Sequence, residues 1–116
     1  MEQFYVVSVK HTLKTCDFIL LWGPDARGYT HSLERAGKYT REEIMSQQDY
    51  YNNGKHTVAV PCSVIDSLKT TTDEQEEFPG HGIMHIKDNW DKLLAQVIAK
   101  PLADPVINYR RAMKVV

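Results

Sequence analysis

A chain of 116 residues and 13.3 kDa is the size of one domain, and it can bury roughly two thirds of its unfolded surface in a single core. With 42% hydrophobic and 25% charged residues it reads as an ordinary globular protein, and a formal net charge of −1 argues against a general grip on nucleic acid or on an anionic membrane. Its longest apolar runs, such as "FILLW", fall far short of the ~20 residues that cross a bilayer, so no membrane partner is expected.

The first segment, "FYVVSV" (4–9), is apolar and β-branched or aromatic throughout, which predicts a strand covered on both faces. The start "MEQFYVVSV" has no basic region of the kind that opens a signal peptide, so an intracellular protein is expected. "FILLW" (18–22) predicts a second strand, antiparallel to the first across the polar connection "KHTLKTCD". "GPDARG" (23–28) is rich in turn formers, and the alternation in "YTHSL" (29–33) predicts a third strand.

"TREE" (40–43) has the spacing of a capping box, with a helix following from about Arg41 through Ile44, Gln48 and Tyr51 to a left-handed end at "NNG". "HTVAV" (56–60) predicts a short buried strand. Pro61 opens "CSVIDSLK", a short helix with Val64, Ile65 and Leu68 on its apolar face. "TTTDEQEEFPGHG" (70–82) predicts an acidic surface loop, and "IMHI" (83–86) one more strand. Asp88 is placed to cap "NWDKLLAQVIA" (89–99), where Trp90, Leu93, Leu94, Val97 and Ile98 share one face. Pro101 and Pro105 stop regular structure before a basic tail over 101–116.

These segments predict a small α+β domain over 1–116. It has a mostly antiparallel sheet of about four strands packed against two or three helices. The 41–53 and 89–99 helices are expected to cover one side of the sheet.

Taken in order, "VVSVKHT", "LLWGPDARGYTHSLERAGKY", "YYNNG", "VAVPCSVIDSL", "NWDKLLAQVIAKP" and "NYRRA" resemble a family of small uncharacterised phage- and prophage-encoded proteins. The resemblance covers nearly the whole chain. It implies a phage accessory protein working in the cytoplasm of an infected bacterium, and it transfers no catalytic residues. By analogy of strategy alone, such proteins counter host defence by capturing a nucleotide signal or by occluding a host defence protein.

No catalytic or metal signature competes with that reading. His81 and His85 on one strand would stand ~13 Å apart, too far for one ion. Neither a metal nor a cofactor is therefore expected. The two "KHT" triplets (10–12 and 55–57) are similar to the paired motifs of two-histidine phosphoesterases. In those motifs, however, Thr stands two residues from His, whereas here it follows directly and faces away. Cys62 sits at a helix start that would lower its pKa, yet burial as a small apolar side chain is the heavier expectation. Cys16 and Cys62 read as reduced thiols, with a disulfide between them as the other reading.

Binding chemistry gathers in two stretches. Asp25, Arg27, Tyr29, His31 and Arg35 rim the "GPDARG" turn beside Trp22, and Tyr50, Tyr51, Asn52 and Asn53 form the "YYNNG" corner. Guanidinium forks match phosphates and aromatic faces stack on bases. Lys10 and His11 are placed to join either surface. The expected function is non-catalytic sequestration of a nucleotide-type ligand, in a homo-oligomer that closes the pocket between subunits. Occlusion of a host protein, an enzyme acting on a nucleotide-type substrate, and nucleic-acid binding through "NYRRAMK" stay open as alternatives.

Overall fold

The first strand, β1 (Gln3–Ser8), is paired along both edges, and the rest of the chain is laid out around it. The computed structural model describes residues 2–71 and 80–109. Phe4 pairs with Tyr39 of β4 (Tyr39–Thr40) and with Pro61 of β5 (Thr57–Pro61), while Val7 pairs with Leu21 of β2 (Leu21–Trp22) and with Val58. A strand has two edges, so β5 runs along one of them and β2 and β4 share the other end to end. Outside β2 lies β3 (Tyr29–Thr30), and every pairing is antiparallel.

The α+β architecture with an antiparallel sheet is thus present, with five strands in the main sheet where about four were expected. The extra one, β4, is two residues long, too short to show alternation. "FILLW" and "YTHSL" contribute only two ladder residues each. His31 leaves the sheet at a bend where the Ser32 amide donates to Thr30 Oγ1 (3.0 Å).

Both faces of the sheet are covered. On one, Tyr5, Val7 and Val9 pack with Ile65 of α3 (Cys62–Ser67), Ile83, and Trp90 and Leu93 of α4 (Lys87–Leu94). On the other, Phe4, Val6 and Ala59 pack with Ile44 of α1 (Arg41–Ser46), and Trp22, Tyr51 and Ile98 join them. The expectation that the 41–53 and 89–99 helices share one side is therefore corrected: they lie on opposite faces. A central strand apolar on both sides needs cover on both, and each helix has one stripe to give.

The helices differ from expectation in length. The capping box is formed, with the Glu43 amide donating to Thr40 Oγ1 and the Thr40 amide to Glu43 Oε1, both at 3.1 Å. The helix it opens breaks at Gln47, whose φ of −142° is not helical, and a single further turn, α2 (Gln48–Tyr51), follows. Helix α4 starts at Lys87, so Asp88 lies inside its first turn and pairs with Lys92 (3.0 Å) in place of capping. It ends at Leu94, short of the expected 99, because the chain then crosses to the open edge of β5. There the Ile98 amide donates to the Ala59 carbonyl at 2.9 Å. An uncovered edge is a liability, and this segment closes it.

"IMHI" makes only one isolated bridge, Phe18 to Met84. The ends of the acidic stretch meet as a small ribbon of β6 (Thr70–Thr71) and β7 (His81–Gly82), while its residues 72–79 and the basic residues 110–116 lie outside the described residues. No helix among the described residues is long and apolar enough to cross a membrane.

One exposed clip ties β7 to the turn after β3. Glu34 accepts from the His81 amide (2.9 Å) and contacts its ring Nδ1 (2.6 Å). Partial burial pushes the Glu34 carboxyl up, but these bonds and the Ser32 hydroxyl outweigh it and hold the group at about 2. A depressed carboxylate pKa stabilises the fold above the unfolded value of 4.5, and that contribution is lost as pH falls toward 2. Since both side chains are nearly half exposed, the gain is discounted to about 0.5–1 kcal/mol. Urea midpoints of wild type and Glu34→Gln should differ at pH 6 and draw together as pH falls toward 2. A gap that stays constant would show that the carboxylate charge is not responsible.

Candidate functional site

At the end of β1, its register with β5 sets Ser8 beside Thr57, both buried. These two hydroxyl side chains lie under a hollow of about 240 Å³ that is also lined by Lys10, His11, Trp22, Tyr29, Tyr50, Asn53 and His56. One wall comes from the β2–β3 pair, where Trp22 and Tyr29 are in register and so project to the same face. The opposite wall comes from the end of α2. The Tyr50 ring meets Trp22 edge-on at 4.9 Å, and His11 covers Tyr29 at 4.3 Å.

The two "KHT" triplets explain the rim. The amides of Val9 and Lys10 both donate to the His56 carbonyl, which joins the triplets across the strand ends. In each, the threonine turns inward and the histidine outward. Thr12 is buried, donating to the Ser8 carbonyl (2.6 Å) and accepting from the Leu20 amide (3.0 Å). Thr57 donates to the Tyr50 carbonyl at 2.9 Å. The opposed faces rule out the two-histidine phosphoesterase geometry, but they deliver both imidazoles to one hollow. His56 was not singled out from the sequence, and neither were Ser8 and Thr57. The repeated triplet was the available signal, since two copies at the ends of paired strands must meet.

Ser8 Oγ accepts from the His11 amide (3.1 Å) and lies 3.3 Å from the same ring's Nδ1. Both contacts are local and close the turn after β1. Nδ1 is thereby engaged with Ser8, and Nε2 is the ring nitrogen turned away from it. Asn53 is used by its own chain: Oδ1 accepts from the His56 amide (2.6 Å) and Nδ2 donates to the Asp49 carbonyl (3.0 Å).

Of the residues expected to bind, Lys10, His11, Trp22, Tyr29, Tyr50 and Asn53 line this hollow. Asp25, Arg27, His31, Arg35, Tyr51 and Asn52 do not. Asp25 and Arg27 belong to an exposed turn with φ of +55° and +56° at Asp25 and Ala26. Tyr39 pins it from beneath, donating to the Gly23 carbonyl (2.5 Å) and accepting from the Ala26 amide (2.9 Å). His31 stacks on Phe18 at 5.3 Å, and Arg35 is exposed. Tyr51 backs the wall, with its ring against Trp22, Tyr39 and Tyr50, and burial holds its phenol above the usual range. Asn52 is fully buried and structural.

Comparison with family models, with curated proteins and with solved structures finds no match to this chain. The hollow is therefore read from its own chemistry. Three aromatic faces stand with one ammonium and two imidazoles, and no carboxylate is among its lining residues.

The other chemistry weighed from the sequence has no comparable setting. Both cysteines are free, and burial, with the Asp66 charge, pushes the Cys62 thiol up to about 11, so at neutral pH it is not a thiolate. Among the described residues no three of His, Cys, Asp and Glu are grouped to hold a metal ion.

Proposed function

We propose that this protein captures a nucleotide-type ligand in the hollow and holds it unaltered, acting as a phage accessory protein that removes a defence signal in the bacterial cytoplasm. The supporting observation is the joint lining of Trp22, Tyr29 and Tyr50 with Lys10, His11 and His56. Stacking on an aromatic side chain stabilises a bound base by about 1–3 kcal/mol, and cationic donors recognise phosphate by charge-assisted bonds. The phage setting rests on the sequence resemblance.

Calorimetry against a panel of cyclic and ADP-ribose-type nucleotides tests the reading. Tyr29→Ala removes one half-exposed stacking face and is expected to weaken binding about tenfold, in line with ~1–3 kcal/mol per stacked base. Arg27→Ala, outside the hollow, should leave affinity unchanged. Heat-denatured complex should release the ligand intact. Silence across the panel would eliminate capture, and a chemically altered ligand would eliminate the non-catalytic part.

A further inference from the structure

The hollow is small and chemically two-ended, and this narrows the ligand. We infer that it holds one nucleoside phosphate unit, with the base against Trp22, Tyr29 and Tyr50 and the phosphate against Lys10, His11 and His56. The inference rests on the sequestering reading and specifies it. Sites that enclose drug-sized ligands run to about 300–1,000 Å³. At about 240 Å³ this one falls below that range, which favours a ligand with one base over a ligand with two.

The ends are separated by how the chain builds them. The β2–β3 pair and the end of α2 supply rings from two sides, with Trp22 fixed in place by Tyr50 at 4.9 Å and Tyr51 at 5.8 Å. The donor end, one ammonium and two imidazoles, comes from the two "KHT" triplets, held together by the Val9 and Lys10 amides on the His56 carbonyl. His11 joins the two ends, with its ring on Tyr29 at 4.3 Å and its Nδ1 3.3 Å from Ser8 Oγ, which leaves Nε2 as the ring nitrogen able to meet a ligand. Thr57 spends its hydroxyl proton on the Tyr50 carbonyl, and Asn53 gives one of its two amide protons to the Asp49 carbonyl. Few groups remain to read the base edge, so affinity should depend on the phosphate more than on which base is carried.

The test uses the full chain and follows tryptophan emission and heat with four probes: adenosine, adenosine 5′-monophosphate, guanosine 5′-monophosphate and a cyclic dinucleotide. Both monophosphates are expected to bind about tenfold or more tighter than adenosine, since bonds to a charged group exceed neutral ones. Lys10→Met, at an exposed position, should remove most of that advantage while leaving the urea midpoint unchanged. The cyclic dinucleotide should bind no tighter than a monophosphate. Equal binding of adenosine and its monophosphate, or binding of the dinucleotide alone, would overturn this inference and leave sequestration standing. Failure of every probe here and of the wider panel would overturn sequestration, and the inference with it.

Discussion

Asn52→Ala is expected to lower the unfolding free energy by about 2–4 kcal/mol, although the residue lies outside the lining of the hollow. Its side chain is fully buried between two segments, accepting from the Ala59 amide (3.1 Å) and donating to the Ala99 carbonyl (3.0 Å). Truncation strands both backbone groups, and each buried group left unpaired costs about 1–3 kcal/mol. The damage should be local before it is global. Amide exchange at Ala59 and Ile98 should accelerate, because Asn52 holds the 98–103 segment to the edge of β5. Asn52→Asp keeps an acceptor for Ala59 but loses the donor and buries a charge, so it should be at least as severe. Urea denaturation measures both variants, and a loss below about 0.5 kcal/mol for the alanine would show that solvent replaces the bracket easily. Gly54 makes the neighbouring case: its φ is +82°, and a Cβ there would meet the Ala103 carbonyl at 1.7 Å, so the same seam admits no side chain.

Asn52 also shows where the sequence stops being legible. The "YYNNG" corner announces polar groups between a helix end and a strand, and nothing in its spelling separates a reader of ligands from a bracket for the backbone. The deciding fact is that the 98–103 segment, nearly fifty residues away, returns to that corner. Long-range contact of this kind leaves no local trace. By contrast, β1, β5, α3 and the capping box were readable because their signals are local: continuous β-branched runs, a proline start, and a Thr–Glu spacing. The side of the sheet taken by each helix was not readable, since one apolar stripe fits either face. The same division holds in the hollow. Trp22, Tyr29 and Tyr50 stood out by residue type, whereas His56 was signalled by its repeated triplet alone and brought to the hollow by the antiparallel register that sets Ser8 beside Thr57. Arg27 stood out equally, and its exposed turn carries it elsewhere.

The second large effect lies on the opposite face, at Trp90. This ring is fully buried, and its indole N–H donates to His85 Nδ1 at 2.7 Å, while His85 Nε2 lies 2.7 Å from the Asn108 carbonyl. An indole nitrogen can only donate, so Nδ1 must accept and the imidazole proton must sit on Nε2, where it donates to Asn108. The chain through indole, imidazole and carbonyl therefore has one direction, and it docks residues 108–109 against the core, with Tyr109 stacked on the imidazole at 6.4 Å. Trp90→Ala should cost about 3–5 kcal/mol through the lost burial and the cavity left behind. Trp90→Phe keeps most of the apolar contact but orphans Nδ1, and should cost about 1–3 kcal/mol. Thermal denaturation of the pair separates the two contributions: equal losses would mean that volume is irrelevant, and a harmless phenylalanine that the bond is. Because Trp90 packs on the face away from the hollow, Trp90→Phe should leave ligand affinity intact. It also leaves Trp22 as the sole tryptophan of the chain, so an emission change on titration would then report the hollow alone.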